Sequence, residues 1–338
     1  MKKIVIFGGS FNPIHFGHLK MIRSAMKQVG ALEGWFLIAD QAPLKDEYET
    51  SYFDRVEMVK IMIKPYRHLK LCEVERNLPK PNYTINTLKY LYKKYPNVKF
   101  YFLIGSDQAI QLDKWKDSEK LFDLTTFIVY PRDNIRISDR RLLLLKPLEG
   151  MMEVSSTMIR EMKSFDTHPA ILRKIAMEGL YSYDRLKAIM SGPRIKHVMG
   201  VVDLIERIAN KHRQNAKLAK ALAINHDLLK EKDIEYLIHY LSKEEIESPK
   251  YNWHAYAVTS FLAKKCYVLD KKFLNAIYHH VDGNSNHIYG KLLFIADKCE
   301  ANREYNTGFY VNEALKNIHK AHELVKENSK KYNERVDI

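Results

Sequence analysis

Two groups of side chains stand in company that could do chemistry. The first lies in Phe7-Gly-Gly-Ser-Phe-Asn-Pro-Ile-His-Phe-Gly-His18, where His15 and His18 are three residues apart. On a helix opened by His15, residues at that spacing are neighbours, so both imidazoles face one point. The same point meets the free N–H groups and the positive dipole end of the helix, which makes it an anion site. Gly8 and Gly9 let backbone approach a ligand closely, and Asn12-Pro13 turns the chain before the helix.

The second group is His197, His226-Asp227 with Lys230, His254, His280 and Asp297. Each lies in or beside an apolar helical run, as in residues 221–230, 275–280 and 292–297. Burying an ionisable side chain unpaired is costly, so this many on core faces makes sense when they converge on metal. A smaller signal is Val154-Ser-Ser-Thr-Met-Ile-Arg160. There Ser156 or Thr157 is expected to cap a helix, with Arg160 one turn in, where its fork reaches phosphate oxygens. Late in a nucleotide-type sheet, such a start is a clamp for the outer phosphates of ATP.

These groups need elements to hold them. Ile4 to Phe7, Trp35 to Ile38, Phe100 to Ile104 and Thr126 to Tyr130 read as strands, separated by helical spacing in Leu19, Ile22, Ala25, Val29 and in Val56, Val59, Ile61, Ile63. The alternation predicts an α/β doubly wound parallel sheet, whose ligands bind beyond the carboxyl ends of its strands. After Tyr181 strand-like runs give way to long helical ones, such as Val198, Val201, Val202, Leu204, Ile205, Ile208 and Ala209. The expected division is therefore an α/β domain over residues 1–184 and an all-α domain over residues 185–338.

Composition agrees with two globular domains: 338 residues, of which 46% are hydrophobic. Three distant cysteines (Cys72, Cys266, Cys299) make neither a disulfide framework nor zinc-type pairs, which fits a reducing cytoplasm. The apolar run near the start stops at Gly8, too short for a signal-peptide core, and no segment reads as a membrane span. The 55 Lys and Arg against 41 Asp and Glu leave a formal charge of +14, which fits either a solvated Lys-rich surface or polyanionic ligands. A nucleic-acid binder would need interleaved aromatic and basic residues for stacking, and no such surface is identified.

The motifs Gly-Gly-Ser-Phe-Asn-Pro-Ile-His-Phe-Gly-His and Ser-Ser-Thr-Met-Ile-Arg resemble the two signatures of bacterial nicotinate mononucleotide adenylyltransferases. The likeness continues through Lys45 with Asp54-Arg55, Asn82-Tyr-Thr-Ile-Asn-Thr87, and Ile104-Gly-Ser-Asp107 followed by Trp115. It implies transfer of AMP from ATP to nicotinate mononucleotide, with Mg²⁺ arriving on the ATP phosphates. Gly8, Gly9, Ser10, Phe11, Asn12 and Gly17 would line the nucleotide pocket, and His15 and His18 would contact the reacting phosphates. Lys45, Ser156, Thr157 and Arg160 would hold phosphates, while Thr84, Gly105, Asp107 and Trp115 would lie at the pyridine mononucleotide. Leu44 stands where the family usually has His before the lysine. Nicotinamide mononucleotide or phosphopantetheine are the alternative acceptors.

The helical half resembles the HD phosphohydrolases, whose order is His, His-Asp, then later His and Asp. Its extra histidines and Ile-Ala-Asp-Lys-Cys-Glu-Ala-Asn-Arg303 are most similar to the HD-type symmetrical diadenosine tetraphosphate hydrolases. The resemblance implies one metal on His197, His226, Asp227 and Asp297, and a second on His254 and His280 with Asp227 bridging. His279 is the alternative to His280, and Lys230 would meet substrate phosphate. Imidazoles and carboxylates without thiolate suit iron or manganese. Hydrolysis of a dinucleoside polyphosphate is the expected activity; sensing a nucleotide without cleaving it is the alternative. Val198, Asn225 and Val281 depart from the family's usual residues.

Overall fold

The computed structural model describes residues 1–40, 50–131, 137–146, 153–303 and 305–336. The chain forms two compact units. One is Met1–Ile159 with Asp166–His168, and the other is Arg160–Phe165 with Pro169–Ile338.

The first unit runs β1 (Lys2–Gly9), α1 (Phe16–Val29), β2 (Glu33–Ile38), α2 (Tyr52–Ile63), β3 (Leu69–Cys72), α3 (Thr84–Lys94), β4 (Val98–Gly105), α4 (Ser106–Ala109), α5 (Ser118–Leu124), β5 (Thr126–Tyr130) and β6 (Leu143–Leu144), and enters α6 (Ser156–Arg160). The strands pair in parallel in the order β3-β2-β1-β4-β5-β6. The order reverses between β1 and β4, and the crevice beyond their carboxyl ends is where such sheets bind ligands.

The central strands are continuous apolar runs because both their faces are buried. On one face Ile4, Ile6, Trp35, Leu37, Phe100, Phe102, Phe127 and Val129 pack against Ile85, Leu88 and Leu91 of α3 and Leu121 of α5. On the other, Gly34 lets α1 close onto the sheet: a Cβ there would stand 2.6 Å from Met26 Sδ and 3.0 Å from Ile22 Cδ1. Gly30, in the left-handed region at φ 66°, ends α1. The hydrophobic pattern did not disclose β3 or β6. The first is four residues with a polar middle, and the second is two exposed leucines.

The second unit is built of helices α7 (Pro169–Glu178), α8 (Ser182–Ile189), α9 (Gly192–Lys211), α10 (Ala216–Asn225), α11 (Ile234–Ile238), α12 (Lys243–Ile246), α13 (Trp253–Lys265), α14 (Lys271–Tyr278), α15 (Ile288–Cys299), α16 (Gly308–Lys316) and α17 (Ile318–Val336). Its core joins Val198, Val201, Ile205 and Ile208 of α9 to Leu222 and Ile224 of α10, Phe261 and Leu262 of α13, Ile277 of α14, and Leu292 to Ala296 of α15. Ser191 caps α9 by accepting the Arg194 N–H, with Pro193 in the first turn.

Residues 169–184, grouped with the first half by periodicity, pack with this unit. Ala176 lies in its core, and its carbonyl accepts the buried Asn225 side chain at 2.9 Å. Asn225, polar where an apolar residue was expected, also accepts from the buried Arg185 guanidinium at 2.8 Å. Among the described residues no helix is long and apolar enough to cross a membrane.

Phe127→Ala should cost about 3–5 kcal/mol and Leu222→Ala about 2–5 kcal/mol, each read by urea unfolding. Both side chains are fully buried. A cost below about 1 kcal/mol in either would contradict the packing described.

Candidate active sites

The first site grows out of the end of β1. His15 is the N-cap of α1, in extended backbone just before the helix, and His18 is its third residue. His15 N–H donates to His18 Nδ1 at 3.2 Å, and the two rings lie 3.6 Å apart between centroids at 34°. A ring nitrogen that accepts carries no proton, so a neutral His18 holds its proton on Nε2 as a donor. Gly17 is required by this pairing. A Cβ on it would stand 2.9 Å from His15 Nδ1 and 3.1 Å from Val154 Cγ1.

Several anchors hold the loop. Phe16 N–H donates to the Asp166 carbonyl at 3.0 Å, and Thr167 Oγ1 donates to the Ile14 carbonyl at 2.7 Å. The buried Arg55 guanidinium donates to Ser10 O at 3.0 Å and Ala39 O at 2.8 Å, tying the loop to the end of β2. Gly8 and Gly9 make room for aromatic rings: added Cβ atoms would meet Phe102 Cζ at 2.9 Å and Phe11 Cζ at 3.0 Å. Phe11, at φ 48°, packs edge-on to His18 with centroids 5.2 Å apart. Asn12 lies in the same turn, preceding Pro13.

Gly105 ends β4 and Asp107 follows it across the switch point from this loop, Gly105 being also the N-cap of α4. Thr84 is the first residue of α3, and Trp115 packs edge-on against Phe102 and Phe127. Lys45 lies outside the described residues. Ser156 and Thr157 do not cap α6. Ser155 does, its Oγ accepting Met158 N–H at 3.1 Å, because the helix begins one residue earlier than its sequence suggests. Ser156 Oγ instead donates to Pro13 O at 2.8 Å, Thr157 is exposed, and Arg160 is ion-paired with Asp184.

A group that sequence reasoning missed supports Thr84. Glu75 is a buried carboxyl that accepts from Thr87 Oγ1 at 3.2 Å, while its own carbonyl accepts Asn82 Nδ2 at 2.8 Å. Burial pushes it up to about 7, against the opposing pull of the Thr87 and Asp40 hydrogen bonds. It thereby braces both ends of the segment that carries Thr84.

In the second unit five elements bring the expected residues together. His197 comes from α9, His226 and Asp227 from the end of α10, His254 from the start of α13, His280 from just beyond α14, and Asp297 from α15. The Asp227 carboxylate stands between two sets of donors. Its Oδ2 lies 3.5 Å from His226 Nε2 and 3.8 Å from His197 Nε2. Its Oδ1 lies 3.3 Å from His254 Nε2 and 3.5 Å from His280 Nε2. Asp297 Oδ1 completes the first set at 3.2 Å from His197 Nε2 and 3.8 Å from His226 Nε2.

The rings are oriented from behind. His226 Nδ1 and His280 Nδ1 each meet a backbone carbonyl three residues back, Ala223 and Ile277, at 2.7 Å. His197 Nδ1 meets the buried Glu300 carboxylate at 3.2 Å. His279 is turned away to Asp282 at 3.0 Å. Burial lowers both His226 and His254 to about 4, so they are neutral near pH 7, as metal ligands must be. Asp227 and Asp297 lie well below the usual carboxylate range. Burial opposes this, but His226, His254 and His280 around Asp227, and Lys298, His197 and Arg303 around Asp297, outweigh it.

This donor set fits metal ions. Among the described residues His197 Nε2 and His226 Nε2 are buried without a hydrogen bond, and two clusters, His197–His226–Asp297 and His226–Asp227–His280, have ligand atoms within 4.8 Å of one another. Cations rim them: Arg194 Nη1 at 2.9 Å from Asp227, Lys298 Nζ at 3.0 Å and Arg303 Nη2 at 2.9 Å from Asp297. Lys230 is partly buried beside His254, its Nζ 3.2 Å from Nδ1. It reaches there from a turn beyond α10, not from the continuing helix that its spacing from His226 suggested. Arg194, Arg303 and Glu300 were missed as site residues; a charged Glu-Ala-Asn-Arg run directly after an apolar helix was the visible signal for Glu300 and Arg303.

Comparison with known proteins finds the cytidylyltransferase-like family over residues 6–162 and the HD domain over residues 194–302. A Mycoplasma genitalium protein called a probable nicotinate-nucleotide adenylyltransferase/Ap4A hydrolase is 30% identical over 330 residues, 93% of each chain. Its Mycoplasma pneumoniae counterpart is 26% identical over 88% of this chain and 89% of the relative. The Bacillus subtilis nicotinate-nucleotide adenylyltransferase is 41% identical over 48% of this chain and 85% of its own.

Elemental analysis of the purified chain should find about two transition-metal ions per molecule, as two adjacent ligand sets require; a metal-free protein would contradict the reading. Glu75 supplies a pH test. Its folded pKa of about 7 exceeds the ordinary 4.5, so the folded state holds the extra proton between those values and stability falls as pH rises through that window. Glu75→Gln should flatten that fall in urea unfolding measured from pH 4.5 to 8, and an unchanged slope would rule the assignment out.

Proposed function

Because the chain belongs to the nicotinate-nucleotide adenylyltransferase/Ap4A hydrolase family, we propose that its first unit joins AMP from ATP to nicotinate mononucleotide, and that its second cleaves diadenosine tetraphosphate to ADP. The observation that carries the first half is the closely apposed His15–His18 pair at the β1–β4 switch point. For the second it is Asp227, one carboxylate with a different imidazole pair on each oxygen.

In the transfer, a phosphate oxygen of the mononucleotide attacks the α-phosphorus of ATP, the α–β bridging P–O bond breaks, and pyrophosphate leaves. No covalent bond to the protein is needed, so catalysis is positioning and charge stabilisation. His18 offers an Nε2 proton to a phosphate oxygen because its Nδ1 is occupied by the His15 amide. Gly8, Gly9, Ser10, Phe11, Asn12 and Gly17 shape the nucleotide pocket, and Lys45, Ser156, Thr157 and Arg160 hold the phosphates. Thr84, Gly105, Asp107 and Trp115 receive the pyridine nucleotide. Among the described residues both metal-competent clusters are in the helical unit, so Mg²⁺ comes to the transfer site on ATP.

In the hydrolase, His197, His226, Asp227 and Asp297 hold one metal, and Asp227, His254 and His280 the other, with iron or manganese fitting the nitrogen and oxygen donors. Metals held there would lower the pKa of a bound water and offset charge on the phosphate oxygens. The protein's part is to keep His226 and His254 neutral, to aim the four imidazoles, and to meet the polyphosphate with Lys230, Arg194 and Arg303. Three free, buried cysteines support a reducing cytoplasmic setting for this activity.

His18→Ala should lower dinucleotide formation about 100-fold or more in an assay of ATP with nicotinate mononucleotide, while ADP release from diadenosine tetraphosphate stays near wild type. Near-normal dinucleotide formation would sink the first assignment. A strong chelator should abolish the ADP release, and chelator-resistant turnover would sink the second.

A further inference from the structure

Among the histidines that face Asp227, His197 has a backing unlike the others. His226 and His280 rest on neutral backbone carbonyls, and His254 lies beside the Lys230 ammonium. His197 rests on a carboxylate, Glu300 Oε1, at 3.2 Å. That carboxylate is a built feature. It is buried at the C-cap of α15, and its Oε2 accepts Asn302 N–H at 2.6 Å and Asn302 Nδ2 at 2.8 Å. Arg303 Nε lies 3.8 Å from Oε1. The facing helix α9 leaves space for it with Gly200, where a Cβ would fall 2.4 Å from Glu300 Oε2 and 2.8 Å from Asn302 Nδ2.

A carboxylate behind an imidazole fixes its tautomer and raises the basicity of the opposite nitrogen. A neighbouring ammonium, as Lys230 is to His254, works in the opposite sense. We propose that Glu300 is a positioning residue for His197, and that through it the position bounded by His197, His226 and Asp297 binds metal more tightly and fills before the position bounded by His254 and His280. This rests on the two-metal reading of the cluster.

The test is calorimetric titration of the metal-free full-length chain with Mn²⁺, with the bound stoichiometry counted by elemental analysis. The wild type should take up two ions in a tight and a weak step. Glu300→Ala should weaken the tight step about 10–100-fold and leave the weak one. Glu300→Gln, whose amide oxygen still accepts a hydrogen bond, should fall between. Gly200→Ala changes no ligand, but its Cβ would displace the Glu300 carboxylate, so it should weaken the tight step in the same direction as Glu300→Ala while leaving the weak step in place. Unchanged steps in Glu300→Ala, or equal weakening of both steps with a lowered melting temperature, would overturn the proposal. A wild type that binds no Mn²⁺ overturns the two-metal reading itself, and the proposal with it.

Discussion

The helical unit is organised around one carboxylate. Asp227 is almost fully buried, and an isolated charge in such a place would cost more than a small domain can spare. It is sustained because His226 and His197 face one oxygen, His254 and His280 face the other, and Arg194 reaches in from α9. Meeting that demand draws α9, α10, α13, α14 and α15 to one point. The apolar faces of the same helices form the surrounding core, so the packing that stabilises the unit also sets the geometry of the site.

The α/β unit meets a different constraint. The strand order of its parallel sheet reverses between β1 and β4, and residues just past those two strands must share one crevice. The His15–His18 pair and the Gly105–Asp107 turn follow from that topology. Their precision comes from neighbours that carry no chemistry themselves: Gly17 admits the His15 ring, Arg55 ties the loop to β2, and Thr167 returns to hold Ile14.

Much of this was legible from residue types and spacing. The four main strands, the two histidine groups and the change to helix all follow from periodicity, because long buried runs leave a strong pattern. Short elements do not, which is why β3 and β6 passed unseen. Caps depend on one hydroxyl among several, so Ser155 rather than Ser156 or Thr157 starts α6. Lys230 reaches the site through a turn that ends α10 at Asn225, and helical spacing cannot foresee where a helix stops when its last residue is held by Arg185 and Ala176. Groups that act from behind, such as Glu75 and Glu300, are known only once their partners are placed.

We propose two metals in the helical unit, one on either side of Asp227. Anomalous diffraction at the manganese edge from crystals grown with Mn²⁺ tests this most directly. Two peaks are expected about 3.5–4 Å apart, the spacing usual in two-metal hydrolytic centres, each beside a different oxygen of Asp227. A single peak, or none near Asp227, would contradict it.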